Sequence, residues 1–344
     1  MGEGWSNWSG NVACQPRRIA LPAVEEEIRA LVGEARAEGL AVRVAGTGHS
    51  FTPLVATDGL LVSLDNWRGI ESHDAERGRV TVRAGTKLHD LGEELLALGL
   101  AMENLGDVDV QSIAGAVSTG THGTGRTLGS ISTQVVGLRL VSADGELIDI
   151  TDEEDPDLLR AARVSLGVLG VLSAVTLRVC PAYRLHERVW REPIDVCLER
   201  LEERIAANVR YEYFWFPTSD EAECKTLNPT DLPADEASVE LVVGTPTSAV
   251  PGAPREPAER ERVGWSARVI PSVRARLFNE MEYALPAEAG PGCFRAVRSR
   301  MLERHPEVQW PVEYRTLAAD DAWLSPAYSR ETVTLSIHQD ARLP

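Results

Sequence analysis

VRVAGTGHSF, residues 42–51, decides how the first half of this chain is read. Val42 to Ala45 forms a short apolar-polar strand, and it runs straight into Gly46 and Gly48. Glycines tolerate positive φ and let backbone N–H groups approach an anion closely, so such a turn suits a pyrophosphate. His49 comes next and sets a nucleophilic imidazole beside whatever is bound. From this stretch alone, a tight turn carrying a surface histidine explains the residues equally well. Further on, SIAGAVSTGTHGTG (residues 112–125) is dominated by small side chains, so a ligand could lie directly on its backbone. Thr119, Thr121 and Thr124 add hydroxyl donors. The alternative is a glycine-rich loop packed on a helix, with His122 as a structural hydrogen bonder.

Working outward, the first half alternates short helices and strands. Val24, Ile28, Leu31, Val32 and Ala35 share one face of a helix over 24–38, with Gly39 after it. Strands are expected at 60–64 and 79–84, and a helix at 87–98. Residues 135–150 read as a hairpin about Asp144-Gly145. A short helix at 155–163 precedes VSLGVLGVLSAVTLRV, which should end in a buried strand. Near residue 181 the segments become more charged. There, 193–208 reads as one amphipathic helix and 228–262 as a long surface loop. Residues 308–317 and 331–338 read as strands. The expected division is residues 1–180 and 181–344.

Composition narrows the function classes. The chain has 344 residues, too many for one ordinary compact core, so two domains are expected. A formal charge of −17 repels phosphate backbones and anionic membranes, so neither nucleic acid nor a membrane is an expected partner. The five cysteines are scattered without ligand spacing, which predicts no disulfide framework and no metal site. The start lacks the basic and apolar regions of a signal peptide, and the longest apolar stretch is too broken to span a bilayer. These features fit a reducing, cytoplasmic location. No GxGxxG, Walker A, HExxH or GxSxG motif occurs.

One further stretch carries chemistry. In Glu313-Tyr314-Arg315, period-two alternation puts the carboxylate and the guanidinium on the same face of a strand. That pair can hold a polyhydroxylated substrate and stabilise a developing alkoxide. A strand-surface ion pair of little energetic weight is the alternative. Ser336 and His338 share a face of their strand with the same ambiguity.

Taken together and in this order, these stretches resemble the aldonolactone and alditol oxidases of the vanillyl-alcohol-oxidase flavoprotein superfamily. EMEYALP (280–286), VEYR (312–315) and AADDAWLSPAYSRETV (318–333) strengthen the likeness, which covers essentially the whole chain. It implies an α+β fold: a two-part FAD-binding domain and a substrate or cap domain built on an antiparallel sheet. It also implies FAD bound covalently through His49 to the flavin 8α-methyl group. Val44, Ala45, Gly46, Thr47, Gly48, His49 and Ser50 would cradle the cofactor with Ser112, Gly115, Thr119, Gly120, Thr121 and His122. Val171 would lie near the adenine end.

By the same resemblance, Glu313 and Arg315 are the catalytic pair at the substrate hydroxyls, and Asp107, Ser336 and His338 bind substrate. Gly106 falls at the position that admits molecular oxygen beside the flavin. The implied reaction is FAD-dependent oxidation of a sugar lactone such as L-gulono-1,4-lactone at its C2 hydroxyl, giving an ascorbate-like acid and hydrogen peroxide. SIHQ (336–339) favours the lactone branch over polyol substrates. The family continues past this point with a helix and an HWGK-like motif that the sequence to Pro344 does not contain. The expectation is therefore that the C-terminal part of the family fold is missing, with a flavin-binding protein of little turnover as the alternative.

Overall fold

The structure, a computed structural model, describes residues 4–235, 259–272 and 276–342. It is an α+β architecture of small sheets followed by one large antiparallel sheet.

In the amino-terminal half, β1 (Arg18–Ala20), β2 (Val42–Ala45) and β3 (Leu60–Ser63) form a parallel sheet in the order β1-β3-β2. Helix α1 (Glu25–Ala37) connects the first two. Its apolar stripe, Ile28, Leu31, Val32 and Ala35, is buried as the 3.6-residue spacing requires. Gly39 ends it at φ +67°, a backbone state that costs glycine little.

A second sheet is antiparallel. It comprises β4 (Ile70–Asp74), β5 (Arg79–Arg83), β6 (Val135–Val141), β7 (Leu147–Thr151) and β8 (Val171–Arg178), in the order β7-β6-β8-β5-β4. The expected hairpin is β6-β7, and the expected buried strand is β8. Helices α2 (Leu88–Ala97), α3 (Ile113–Ser118) and α4 (Pro156–Arg163) complete this half. Its core runs from α1 through both sheets, and continues past residue 180 to Leu185, Leu227, Val269 and Ile270.

The second half is a seven-stranded sheet. Its strands are β9 (Arg184–Pro193), β10 (Arg210–Phe216), β11 (Glu221–Thr230), β12 (Glu259–Trp265), β13 (Phe278–Pro286), β14 (Val312–Leu317) and β15 (Thr332–Asp340). They lie in the order β12-β9-β11-β10-β14-β15-β13. Helices α5 (Ile194–Glu199), α6 (Leu201–Ala207) and α7 (Gly290–Arg304) cover one face. Tyr213 and Tyr314 stack there at 5.0 Å, with the Phe294 ring edge-on to both.

The alternation of a strand then sends Glu212, Glu313, Arg315, Ser336 and His338 to the opposite face. That face meets the amino-terminal half. Arg210 Nη2 donates to Glu103 O at 2.7 Å, Thr124 Oγ1 to Tyr211 O at 2.8 Å, and Gly125 N to Thr316 O at 2.9 Å.

Two expectations are corrected. The helix over 193–208 is two helices broken at Arg200, which caps one and opens the other. The loop over 228–262 is bounded by β11, which runs to Thr230, and by β12, which starts at Glu259. Both ends pair with β9 and so satisfy their backbone groups in the sheet. Residues 236–258 of that expected loop lie outside the described residues.

Candidate active site

The two glycine-rich stretches meet. The turn after β2 lies so close to the start of α3 that a Cβ on Gly46 would stand 2.5 Å from Ser112 Oγ. Gly48 adopts φ +75°, and a Cβ there would stand 3.0 Å from Asn7 Cα. The amino-terminal segment clamps this turn. Trp8 N donates to Gly48 O at 2.8 Å, and Asn7 Nδ2 to Ser50 O at 3.0 Å.

A cleft of about 490 Å³ opens along these segments. Residues 44–50 line it, together with Ser112, Gly115, Thr119 and Val171. Asp65, Gln111, Ser118 and the 166–170 turn also line it, and the sequence had not singled these out. Their signal is faint. The 166–170 turn carries Leu166 and Gly167 at positive φ, but from sequence it reads only as an apolar run.

His49 packs on Trp8 with ring centroids 4.8 Å apart and planes 24° from parallel. Burial penalises the charged ring and lowers its pKa to about 4, with Glu280 opposing the shift. The imidazole is therefore neutral at physiological pH, as a nucleophile must be.

The second cluster lies on the inner face of the large sheet. β13, β15 and β14 are in register, so that Glu280 pairs with His338, Glu282 with Ser336, and Glu313 with Ser336 on the other side. Glu313 is 3% exposed and Arg315 8%, which rules out the strand-surface ion pair. Arg315 Nε is 3.5 Å from Glu313 Oε1, and Arg315 Nη2 donates to Glu282 Oε2 at 2.5 Å. Burial, helped by Glu212, Asp107 and Glu280 and opposed by Arg315, pushes the Glu313 carboxyl up to about 8.

His122 sits here rather than on the cleft lining. Its Nε2 faces Glu282 Oε1 at 2.9 Å, and its Nδ1 faces Gly123 O at 2.8 Å. Gly120 and Thr121 precede it off the cleft lining, and Gly106 packs on the same segment: a Cβ there would stand 3.0 Å from Thr121 Cγ2. Asp107 is held by buried Lys225, whose Nζ is 3.4 Å away, and by Ser272 Oγ at 3.0 Å. His338 Nδ1 donates to Pro311 O at 3.0 Å, which turns Nε2 toward Glu280 at 3.6 Å.

A ladder of rings joins the two clusters. Phe278 lies 5.1 Å from Trp8, which stacks on His49, and 5.3 Å from His338. Glu280 is within electrostatic reach of both His49 and Glu313. The arrangement is a bare-backbone cleft ending at a neutral histidine, beside a set in which Glu313 and Arg315 are buried and the Glu280 and Glu282 side chains are partly exposed. Such a cleft suits a long phosphate-bearing cofactor, and that set suits a small hydroxylated substrate.

Comparison with known proteins gives the family. Residues 16–151 match the FAD binding domain family, and residues 175–250 and 247–344 match the D-arabinono-1,4-lactone oxidase family. L-gulono-1,4-lactone dehydrogenase from Mycobacterium tuberculosis is 36% identical, over 98% of this chain and 83% of its own. L-gulonolactone oxidase from Mus musculus is 29% identical, over 98% of this chain and 81% of its own. In fold, a histidine-to-alanine variant of cholesterol oxidase from Brevibacterium sterolicum superposes with TM-score 0.82 at 18% identity, covering 100% of this chain and 81% of that one. The chain is thus an FAD-dependent oxidoreductase of vanillyl-alcohol-oxidase-type fold, and it belongs to the family of the aldonolactone oxidases and dehydrogenases.

Proposed function

We propose that this protein oxidises an aldonolactone of the L-gulono-1,4-lactone type at its C2 hydroxyl, with FAD bonded to His49 and molecular oxygen as the electron acceptor. The observation that carries this reading is the buried Glu313–Arg315 pair, set with Ser336 and His338 within one ring ladder of His49. The matched relatives, whose names specify gulono- and arabinono-1,4-lactone, support the substrate class. In this reading residues 1–180 bind the cofactor and residues 181–344 cap it and bind substrate.

The bound flavin supplies a two-electron acceptor for the hydride of a carbinol carbon. The rest falls to the protein. As the C2–H bond breaks, the hydroxyl proton passes to solvent water, since Glu313 already carries its own proton, and a carbonyl forms. Arg315 faces that oxygen and stabilises the negative charge that grows on it. Glu313, with its carboxyl kept protonated to about pH 8, donates a hydrogen bond to a neighbouring oxygen of the lactone. Ser336 and His338 fix the remaining hydroxyls, and Asp107 orders the wall behind them through Lys225. Neutral His49 supports covalent attachment, because a protonated ring has no lone pair to give. Oxygen as acceptor rests on the relatives named oxidases; at Gly106 a methyl would crowd Thr121 and the His122 carbonyl, which is a packing reason for the glycine. The five free cysteines support a reducing, cytoplasmic location.

The test is an absorbance spectrum before and after acid precipitation, followed by anaerobic addition of L-gulono-1,4-lactone and, separately, xylitol. Yellow colour retained in the pellet, lost in His49→Ala, and bleached by the lactone is the expected result. Bleaching by xylitol alone moves the protein to the polyol branch. Colourless protein that takes up no FAD defeats the proposal.

A further inference from the structure

Arg315 must present its guanidinium in one orientation for the reading above to hold, yet an unrestrained arginine side chain samples many rotamers. Four contacts hold it. Nη2 donates to Glu282 Oε2 at 2.5 Å and to Ser336 Oγ at 3.3 Å. Nη1 donates to His122 O at 3.3 Å, and Nε lies 3.5 Å from Glu313 Oε1. The Glu282 contact is the shortest of the four.

Both oxygens of Glu282 are in use. Oε1 faces His122 Nε2 at 2.9 Å, and Oε2 accepts from Ser336 Oγ at 2.7 Å besides Arg315. Its side chain is 26% exposed, so burial opposes its charge only in part, and His122 and Arg315 beside it hold the carboxyl well below the usual range, so it stays ionised. Glu282 lies on β13, at the far edge of the sheet from β12, with the substrate-facing strands between. It therefore reaches across Ser336 to tie the end of the glycine-rich stretch to the sheet.

We propose that Glu282 is a positioning residue for lactone oxidation: its carboxylate bridges Arg315 and His122 and so aims the Arg315 guanidinium at the reacting hydroxyl. This rests on the reading that Arg315 meets that hydroxyl. A purely structural strand contact would instead affect folding and leave the rate per folded molecule alone.

Two measurements decide it. In the purified holoenzyme, anaerobic stopped-flow bleaching by L-gulono-1,4-lactone should slow on the order of 100-fold in Glu282→Gln. Its half-saturating lactone concentration should stay within about threefold of wild type, since aim and not affinity is lost. Glu282→Asp keeps the charge on a shorter arm and should recover about tenfold of that loss. In the second measurement, side-chain NMR of the unmodified holoenzyme should show slow rotation of the Arg315 guanidinium, with distinct Nη signals that merge in Glu282→Gln.

Glu282→Gln reducing flavin at the wild-type rate overturns the proposal. So does a freely rotating Arg315 in the wild type, which decides the matter even if the Gln variant does not fold. If the wild-type flavin is never bleached by lactone while Arg315 is rigid, it is the proposed substrate that fails and not the bridge.

Discussion

Taking a carboxyl away from water favours its protonated form, and Glu313 lies where that effect outweighs the guanidinium beside it. Its pKa rises from an ordinary 4.5 to about 8, so between those values the folded protein holds a proton that the unfolded chain has released. Stability from this group is full below about pH 4.5 and is lost as pH rises through about 8. His49, neutral in the fold, adds an opposite slope below about pH 6.5, so urea midpoints measured at steps from pH 6.5 to 8.5 should fall with pH. In Glu313→Gln, which keeps the shape and removes the titration, that part of the slope should vanish. An unchanged slope would mean that Glu313 ionises normally. The pair itself was legible, because Glu313 and Arg315 sit two apart on a strand. Glu282 was not, although EMEYALP stood out as a motif. Which strand lies beside which, and in what register, is decided by long-range pairing that period-two alternation does not encode.

Single elements followed their local chemistry closely. Helix α1 begins and ends within a residue of where its apolar spacing and Gly39 put it, and β2 spans the residues its alternation marked. The failures came where tertiary contacts override composition. Residues 193–208 keep a helical pattern, yet the chain turns at Arg200 so that both Cys197 and Ile205 can face the core behind the sheet. Proline and threonine at 228–230 read as loop, and β9 recruits them as strand. The turn after β2 has a constrained backbone. Gly48 combines φ +75° with a Cβ position 3.0 Å from Asn7 Cα and 3.1 Å from Trp8 N, so Ala there meets both dihedral strain and backbone. Gly48→Ala should destabilise the protein by about 1–3 kcal/mol, read as a lowered Tm. It should also displace Trp8 from His49, which fluorescence of the Trp8 environment and loss of bound flavin would report together. A Tm and a flavin content equal to wild type would show that the turn can relax.

At the scale of the whole molecule, the large sheet is held against the amino-terminal half partly by a buried charge network centred on Lys225. The side chain is 1% exposed. Its Nζ lies 3.1 Å from Glu212 Oε1, 3.4 Å from Asp107 Oδ1 and 3.8 Å from Glu187 Oε1, and Glu187 also accepts from Arg262 Nε at 2.5 Å. Burial opposes the lysine's charge, but the carboxylates of Glu212, Asp107 and Glu187 outweigh it and hold the ammonium far above its ordinary range. Asp107 belongs to the loop after Gly106, so this one cation links β11 of the sheet to the loop that packs on the Thr121–His122 segment. Deleting one partner of a buried ion network leaves the others charged and unsolvated, which costs about 3–5 kcal/mol. Lys225→Met, which preserves the chain's length and apolar stem, should lose stability of that order at pH 8. The carboxylates left behind would then titrate upward, so the deficit should shrink as the pH falls toward 5 and they take up protons. Paired urea unfolding at the two pH values measures this. A deficit that stays constant with pH would assign the loss to packing and not to stranded charge, and Lys225 would then be a spacer in the interface instead of its electrostatic tie.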